Sequence, residues 1–336
     1  MRIAIVTEKP HMARLISQVA TKLFPNDHLD YPICWPVGIY APQLPRGLRW
    51  RDYPYIAPFG VNQFERRKMI NKSLMHAPMV GMSSEDEALM FERSWDRFNS
   101  SLVSADRIIF LMDPSPHLYH GDVARQRALG HGILPGEARM LRALDAASIK
   151  TALTSPSGEQ DECARHLIKY GQVKQYFNHQ FAVNSLAIFG RLTEGAWVSK
   201  YQLQLLYALK NKEPATEGEW LRRMKHWAGT GRYKDEKKSN SWLGLASPMS
   251  SALIWEQVKN HDWMRATGSG EKITPWTISE KGEDFLKSLH PGCEDADLPF
   301  RLHAWCEQGL ENAQEAIDRY VRSFFGRQKR FMGGAW

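Results

Sequence analysis

The sequence has few cysteines and no long apolar segment. Its four cysteines, Cys34, Cys163, Cys293 and Cys306, include no Cys-x-x-Cys pair, which argues against a zinc knuckle. No stretch approaches the roughly 18 apolar residues of a membrane-spanning helix, and the first apolar run is too short for a secretory signal. The sequence therefore predicts reduced thiols, a cytoplasmic location and no membrane partner.

An excess of acidic charge is also missing. Lys and Arg number 44 against 37 Asp and Glu, which gives a formal net charge of +7. Such a surplus favours polyanionic partners, because Lys and Arg release the counterions condensed on phosphates. An inert basic surface would give the same total. Composition therefore permits nucleic-acid binding without establishing it.

The beginning of the chain has the pattern of an α/β domain. Apolar runs at Arg2–Thr7 and Arg107–Met112 predict buried strands, and His11–Leu23 has apolar residues at helical spacing. Residues 32–58 are rich in Pro, Trp and Tyr, which predicts irregular backbone with short strands, and Glu85–Leu102 predicts an amphipathic helix. Strand, loop and helix in this order are typical of a Rossmann-like parallel sheet.

Beyond about residue 139 the pattern becomes helical. The spacing predicts helices over 143–153, 175–192, 199–209, 249–259, 280–289 and 304–325, a small strand over 273–278 and an exposed charged connection over 213–240. The helix–strand–helix order resembles a winged-helix unit at about 241–290. We therefore predict an α/β domain over 1–137 and a mainly α-helical, winged-helix-like domain over 138–336.

Acidic residues follow both predicted strands of the first domain. Glu8 comes after the first strand and Asp113 after the second. The carboxyl ends of parallel strands meet at one edge of a sheet, where ligand sites tend to lie. Carboxylates gathered there can bind Mg²⁺, which can orient and neutralise a phosphodiester. Solvated turn residues or helix caps would produce the same pattern.

The segment Ile3–Ile16 resembles the start of the Toprim domain of type IA DNA topoisomerases, closest to the topoisomerase III branch. Other segments resemble family elements in the family's order: Trp35–Gly38 and Trp50–Pro54, Leu141–Leu153, Val198–Gln202, Gly244–Ser251, Ile273–Gly282 and Asp297–Leu310. The resemblance implies a Toprim domain followed by the helical base of such an enzyme. It also implies a groove for single-stranded DNA, with Lys9, Arg14, Lys200 and Gln202 as candidate contacts.

The metal loop departs from the family pattern. Where the family has asp-pro-asp-arg-glu-gly, this chain reads Asp113-Pro114-Ser115-Pro116-His117-Leu118. Ser115 and His117 are poor Mg²⁺ ligands. Glu8 and Asp113 remain as candidate metal ligands, with Asp122 as a third. We expect no required cofactor, although magnesium could bind.

A second departure concerns covalent catalysis. In the family, an arch and the domain that carries the nucleophilic tyrosine lie between two of these motifs, whereas here the gap is only Leu203–Leu243. A phosphotyrosine mechanism needs a positioned tyrosine with activating neighbours. Whether the chain is an enzyme stays open, and strand passage by this chain alone is not expected.

Three functions remain open. The first is a DNA-binding or scaffolding component of a larger assembly, such as a mobile-element or conjugative system, in which a protein partner supplies catalysis. The second is a magnesium-dependent nuclease or nickase that uses Glu8 and Asp113. The third is a protein-interaction subunit that has lost DNA binding. The missing acids favour the first over the second, and the retained basic residues favour it over the third.

Overall fold

The computed structural model describes residues 1–7, 10–33, 44–59, 98, 100–112, 133, 136–141, 143–155, 161–235, 248–267 and 275–333. The chain divides into two compact units. The first comprises Met1–Ala41 and Phe59–Lys174, and the second comprises Pro42–Pro58 and Gln175–Trp336. The chain thus enters the second unit twice, whereas the sequence prediction places one boundary at residue 137.

The first unit contains a four-stranded parallel sheet with the strand order β2-β1-β3-β4. Its strands are β1 (Arg2–Val6), β2 (His28–Asp30), β3 (Arg107–Met112) and β4 (Glu137–Met140), and two of its helices are α1 (Pro10–Leu23) and α2 (Ala146–Thr154). The predictions of β1, β3 and α1 are confirmed. The two edge strands were not predicted, because they are short and contain polar residues.

Both faces of this sheet are covered by apolar side chains. On one face Ile3 and Ile5 pack with residues of α1 and α2. On the other face Val6 packs with Phe98 and Leu102. Because successive residues of a strand point to opposite faces, a strand buried on both sides has a continuous apolar run. Residues 98 and 100–103 are helical, in agreement with the predicted helix there; the rest of that prediction lies outside the described residues.

The second unit is mainly helical, as predicted. Its helices are α3 (Asp161–Ile188, which begins in the first unit), α4 (Lys200–Leu209), α5 (Glu217–Trp227), α6 (Pro248–Asn260), α7 (Glu280–Lys287), α8 (Leu298–Gln308) and α9 (Leu310–Gly333). Aromatic rings join α3 to α9. The ring centre of Phe181 lies 5.4 Å from that of Phe324 and 4.9 Å from that of Phe325. No described helix is long and apolar enough to cross a membrane.

A small antiparallel hairpin, β5 (Met264–Ala266) with β6 (Trp276–Ile278), follows α6. A further bridge joins Ala215 to Trp276, with N–H to O distances of 3.1 and 2.8 Å in the two directions. The indole N–H of Trp220 also donates to the carbonyl of Trp276, at 2.8 Å. The order of elements is therefore α4, the Ala215 bridge, α5, α6 and the hairpin.

The predicted exposed connection over 213–240 is wrong, because it contains α5. Trp220 and Met224, one helical turn apart, are almost fully buried. The charged residues lie on the outside of this helix, where Glu219 pairs with Arg222 and Arg223. Because many residues of this segment are charged, its sequence did not reveal that Trp220 and Met224 are buried. Residues 236–240 lie outside the described part of the chain.

The single helix predicted over 304–325 is also wrong, since two helices, α8 and α9, meet there. The break lies at Gly309, whose φ is 79°. Residues with a Cβ atom rarely adopt this conformation, so glycine commonly ends a helix in this way. The amphipathic spacing continues on both sides of Gly309, and spacing alone therefore did not reveal the end of α8.

Two helical glycines give a matched test of how closely α7 packs against Trp263. A Cβ atom at Gly282 in α7 would clash with the carbonyl oxygen of Trp263, whereas a Cβ atom at Gly218 in α5 would meet nothing within 4 Å. We expect Gly282→Ala to lower the free energy of unfolding by about 1–3 kcal/mol through overpacking. Gly218→Ala should raise it by about 0.5–1 kcal/mol through helix propensity. Urea titration followed by circular dichroism measures both, and an unchanged or increased stability of Gly282→Ala would contradict the packing of α7.

Candidate nucleic-acid interface

The sheet of the first unit has a topological switch point between β1 and β3. The chain passes from β1 to β2 on one side, and β3 then pairs on the other side of β1, with Val6 opposite Phe110. Ligands of open α/β sheets bind at the carboxyl ends of strands at such a point. Glu8 and Asp113 follow these two strands in the sequence. Both residues lie outside the described part of the chain, as do Asp122 and Lys9.

Thr7 is the last described residue before this edge. It is fully buried, and its N–H donates to the carbonyl of Pro32 at 3.0 Å. Its hydroxyl has no hydrogen-bond partner among the described residues. Within the described ranges, no group of three or more His, Cys, Asp or Glu side chains could hold a metal ion. The magnesium site at Glu8, Asp113 and Asp122 therefore stays a prediction.

The remaining predicted DNA contacts lie in different environments. Arg14 is exposed on α1 of the first unit. In the second unit, Lys200 is 4% exposed and Gln202 is 2% exposed. The side chain of Gln202 accepts from the backbone N–H of Ser199 at 2.6 Å, and the Ser199 hydroxyl accepts from the backbone N–H of Gln202 at 3.2 Å. This reciprocal pair is a capping box that begins α4, so Gln202 has a structural role here.

The ammonium group of Lys200 packs among aromatic rings. Its Nζ atom lies 4.8 Å from the ring centre of Phe177 and 4.6 Å from that of Tyr201. Attraction between the ammonium charge and the ring faces offsets part of the cost of removing it from water. In this structure Lys200 is therefore a buried member of the core, and of the four predicted contacts only Arg14 is described with its side chain at the surface.

Two buried amides on α3 bind an extended segment of the second unit. Asn184 accepts from the N–H of Tyr55 and donates to its carbonyl, both at 2.7 Å. Gln180 accepts from the N–H of Ala57 at 2.8 Å and donates to its carbonyl at 2.7 Å. Four residues of helix advance by about 6 Å and two residues of extended chain by about 6.6 Å. The two amides therefore match the repeat of the segment and replace a neighbouring strand.

Other groups on the same helix complete this amide clamp, which we define as His179, Gln180, Asn184 and Ser185. The Nε2 atom of His179 lies 3.0 Å from the carbonyl of Pro58. The Ser185 hydroxyl both donates to the carbonyl of Val198 and accepts from its N–H, at 2.7 Å each. Buried polar groups are costly unless they are paired. The clamp therefore holds residues 55–58 and the approach to α4 in defined positions.

The segment bound by the clamp carries a cationic and aromatic surface. Trp50 begins a short 3-10 helix, Trp50–Asp52. The guanidinium carbon of Arg191 lies 4.2 Å from the centre of the Trp50 ring, and Nζ of Lys329 lies 5.6 Å from it. Lys329 also donates to the carbonyls of Arg51 and Tyr53, at 2.9 and 2.6 Å. We define the Trp50 surface as Arg46, Arg49, Trp50, Arg51, Arg191, Lys329 and Arg330.

Positive charge dominates the Trp50 surface. The arginines of the surface are exposed, and Asp52 is the one acidic residue within 44–59. Its carboxylate accepts from the backbone N–H of Arg49 at 2.6 Å and lies 3.9 Å from Nε of Arg51. Burial lowers the pKa of Lys329, while the charge of Asp52 acts in the opposite direction. A concentration of like charges of this kind attracts polyanions.

Sequence reasoning did not identify this surface. The available signal was Arg46–Arg51, which places three arginines around one tryptophan. Arg191 and Lys329 come from other parts of the chain, and only the fold brings them to the ring.

Models of known protein families give no match to this chain, and curated proteins give none either.

The amide clamp can be tested by replacing one amide at a time with an apolar side chain. Gln180→Leu or Asn184→Leu leaves a half-buried N–H and carbonyl without partners. We expect each change to lower the free energy of unfolding by about 2–5 kcal/mol, since each unsatisfied group costs about 1–3 kcal/mol. Urea titration measures this decrease. Trypsin should also cut faster after Arg46, Arg49 and Arg51 once the segment is released.

The matched control is Gln18→Leu, on the exposed side of α1. We expect it to change stability by no more than about 0.5 kcal/mol. Equal stabilities for the control and the two clamp variants would show that the side-chain amides do not hold the segment.

Proposed function

We propose that this chain is a nucleic-acid-binding protein that binds DNA, preferentially single-stranded, as a DNA-binding or scaffolding component of a larger assembly. The observation that carries the proposal is the Trp50 surface, where Arg191 and Lys329 from distant parts of the chain meet one indole ring and further exposed arginines lie next to Trp50 and Lys329 in the sequence. Cationic side chains contact phosphates, and aromatic rings accept bases, so their combination suits an unpaired strand.

The cations of this surface that have no ion-pair partner among the described residues favour ligand binding over a purely structural role. Arg46, Arg191 and Arg330 have no ion-pair partner among the described residues, and an exposed cation without a carboxylate is available to a phosphate. Arginine also presents several N–H groups in a plane that matches phosphate geometry. Arg14, exposed on α1, remains a proposed further contact in the first unit.

The proposal extends to the origin of the fold. We propose, from the sequence resemblance, that the first unit is a Toprim domain and that the chain derives from a type IA topoisomerase. The parallel sheet and its switch point are compatible with this origin. For the second unit we propose a winged-helix-like unit at about 241–290, where α6, the β5-β6 hairpin and α7 follow one another in the predicted helix–strand–helix order.

Strand cleavage is not part of the proposal, because Ser115 and His117 stand where the family has acids. We propose that a protein partner supplies any catalysis. The alternative, a magnesium-dependent nickase at the switch point, is favoured only by the adjacent ends of β1 and β3. We expect the purified chain to leave supercoiled plasmid intact in Mg²⁺, as measured on agarose gels. Magnesium-dependent nicking that Glu8→Ala abolishes would establish the nickase instead.

DNA binding is tested by reversing charge on the Trp50 surface. We expect the wild-type chain to bind a fluorescent single-stranded oligonucleotide at low salt. Arg46→Glu combined with Arg49→Glu should weaken binding by on the order of tenfold or more, because two attractive interactions with phosphates become repulsive. The slope of log affinity against log salt should fall by about 0.7 for each phosphate of a single strand that the protein no longer neutralises. Fluorescence anisotropy over a salt series measures both quantities.

The control has the same change in net charge at another place. Lys22→Glu combined with Lys150→Glu alters two exposed lysines of α1 and α2, and it should retain most of the affinity. Equal decreases in affinity in both double variants would indicate a response to net charge alone, and absence of low-salt binding by the wild type would favour the protein-interaction subunit. Lys200→Glu is unsuitable as a probe, because it would place an acid in the core.

A further inference from the structure

Arg191 differs from the other cations of the Trp50 surface in the way that it is held. It ends the short 3-10 helix Phe189–Arg191, which continues directly from α3, the helix of the amide clamp. Its guanidinium carbon lies 4.2 Å from the centre of the Trp50 ring, which is contact distance for a cation over a ring face. The side chain is exposed, and no hydrogen bond or ion pair engages it among the described residues.

Contact with an aromatic ring leaves most of the binding capacity of a guanidinium group unused. The guanidinium carbon lies over the indole ring, and the side chain is exposed, so part of the guanidinium group stays accessible to a ligand. Nucleic-acid bases stack on arginine planes much as they do on aromatic rings. Lys329, the other cation at this ring, has no planar group, and its ammonium already donates to the carbonyls of Arg51 and Tyr53.

Trp50 is in turn fixed by its surroundings. It belongs to the segment whose continuation, Tyr55 and Ala57, is bound by the amide clamp. Both partners of the Arg191–Trp50 contact are thus connected to α3, one through the end of the helix and one through the clamp. A side chain held before binding loses less conformational freedom when a ligand arrives.

We propose that Arg191, held on Trp50, is the base-stacking element of the Trp50 surface, so that an unpaired base lies on the guanidinium plane while Arg46, Arg49 and Arg51 contact the phosphates. The proposal rests on the proposed nucleic-acid function of this surface. It assigns to Arg191 the recognition of a base, and to the neighbouring arginines the binding of the backbone. Bases of a duplex are already stacked on each other and would not reach this position.

The test compares a single-stranded oligonucleotide with one of the same length that carries abasic sites, which keeps the phosphates and removes the bases. The wild-type chain should bind the normal oligonucleotide about five- to a hundredfold more tightly for one stacked base. Arg191→Lys keeps the charge and removes the plane. It should reduce this preference towards unity, because binding of the base-containing strand weakens more than binding of the abasic strand, as measured by anisotropy at one salt concentration.

Two further variants complete the comparison. Trp50→Leu removes the support of the guanidinium and should reduce the preference in the same way. Arg319→Lys, an exposed arginine of α9 outside the Trp50 surface, is the matched control and should keep the wild-type preference. Circular dichroism verifies that each variant is folded.

The outcomes separate this proposal from the proposed function. If Arg191→Lys retains the full preference for the base-containing strand, or if the wild type binds both strands equally, Arg191 is not the stacking element, although DNA binding itself stands. If the wild type binds neither strand at low salt, the proposed function fails and the stacking proposal fails with it.

Discussion

The hydrogen bonding of the partly buried backbone of residues 55–58 is the constraint on which much of the second unit depends. This segment runs extended over α3 without a neighbouring strand among the described residues, so its N–H and carbonyl groups need partners from side chains. Gln180 and Asn184 supply them in pairs, because one turn of helix and two residues of extended chain have nearly the same length. These buried polar residues of α3 thereby help to specify one arrangement of the chain.

The same contacts help to bring cations from distant segments to Trp50. The clamp fixes the segment that follows Arg46, Arg49 and Arg51, and the end of α9 brings Lys329 and Arg330 beside it. The partial negative charge at the carboxyl end of a helix stabilises cations in its last turn. The carbonyls that accept from Lys329 and the indole face under Arg191 reduce the remaining repulsion. The proposed binding surface is therefore compatible with a stable fold.

Prediction from sequence succeeded where burial produces a regular pattern of apolar residues, either a continuous run or helical spacing. The strands β1 and β3 are apolar on both faces, and α1 is amphipathic, so both patterns could be read directly. It failed in α5, where two buried side chains lie among charged ones, and at Gly309, where the spacing continues across a break. At the site, local sequence could not distinguish a groove residue from a core residue, and Lys200 and Gln202 are buried within α4.

The two strands at the switch point, the helical character of the second unit and the basic surplus could all be predicted from the sequence. These properties depend on residue type and on spacing within one segment. The contacts of Arg191 and Lys329 with Trp50 could not be predicted in this way, because they depend on how α3 and α9 pack and on the register of the clamped segment. Contacts between distant segments have no period in the sequence, and only the packed core sets their geometry.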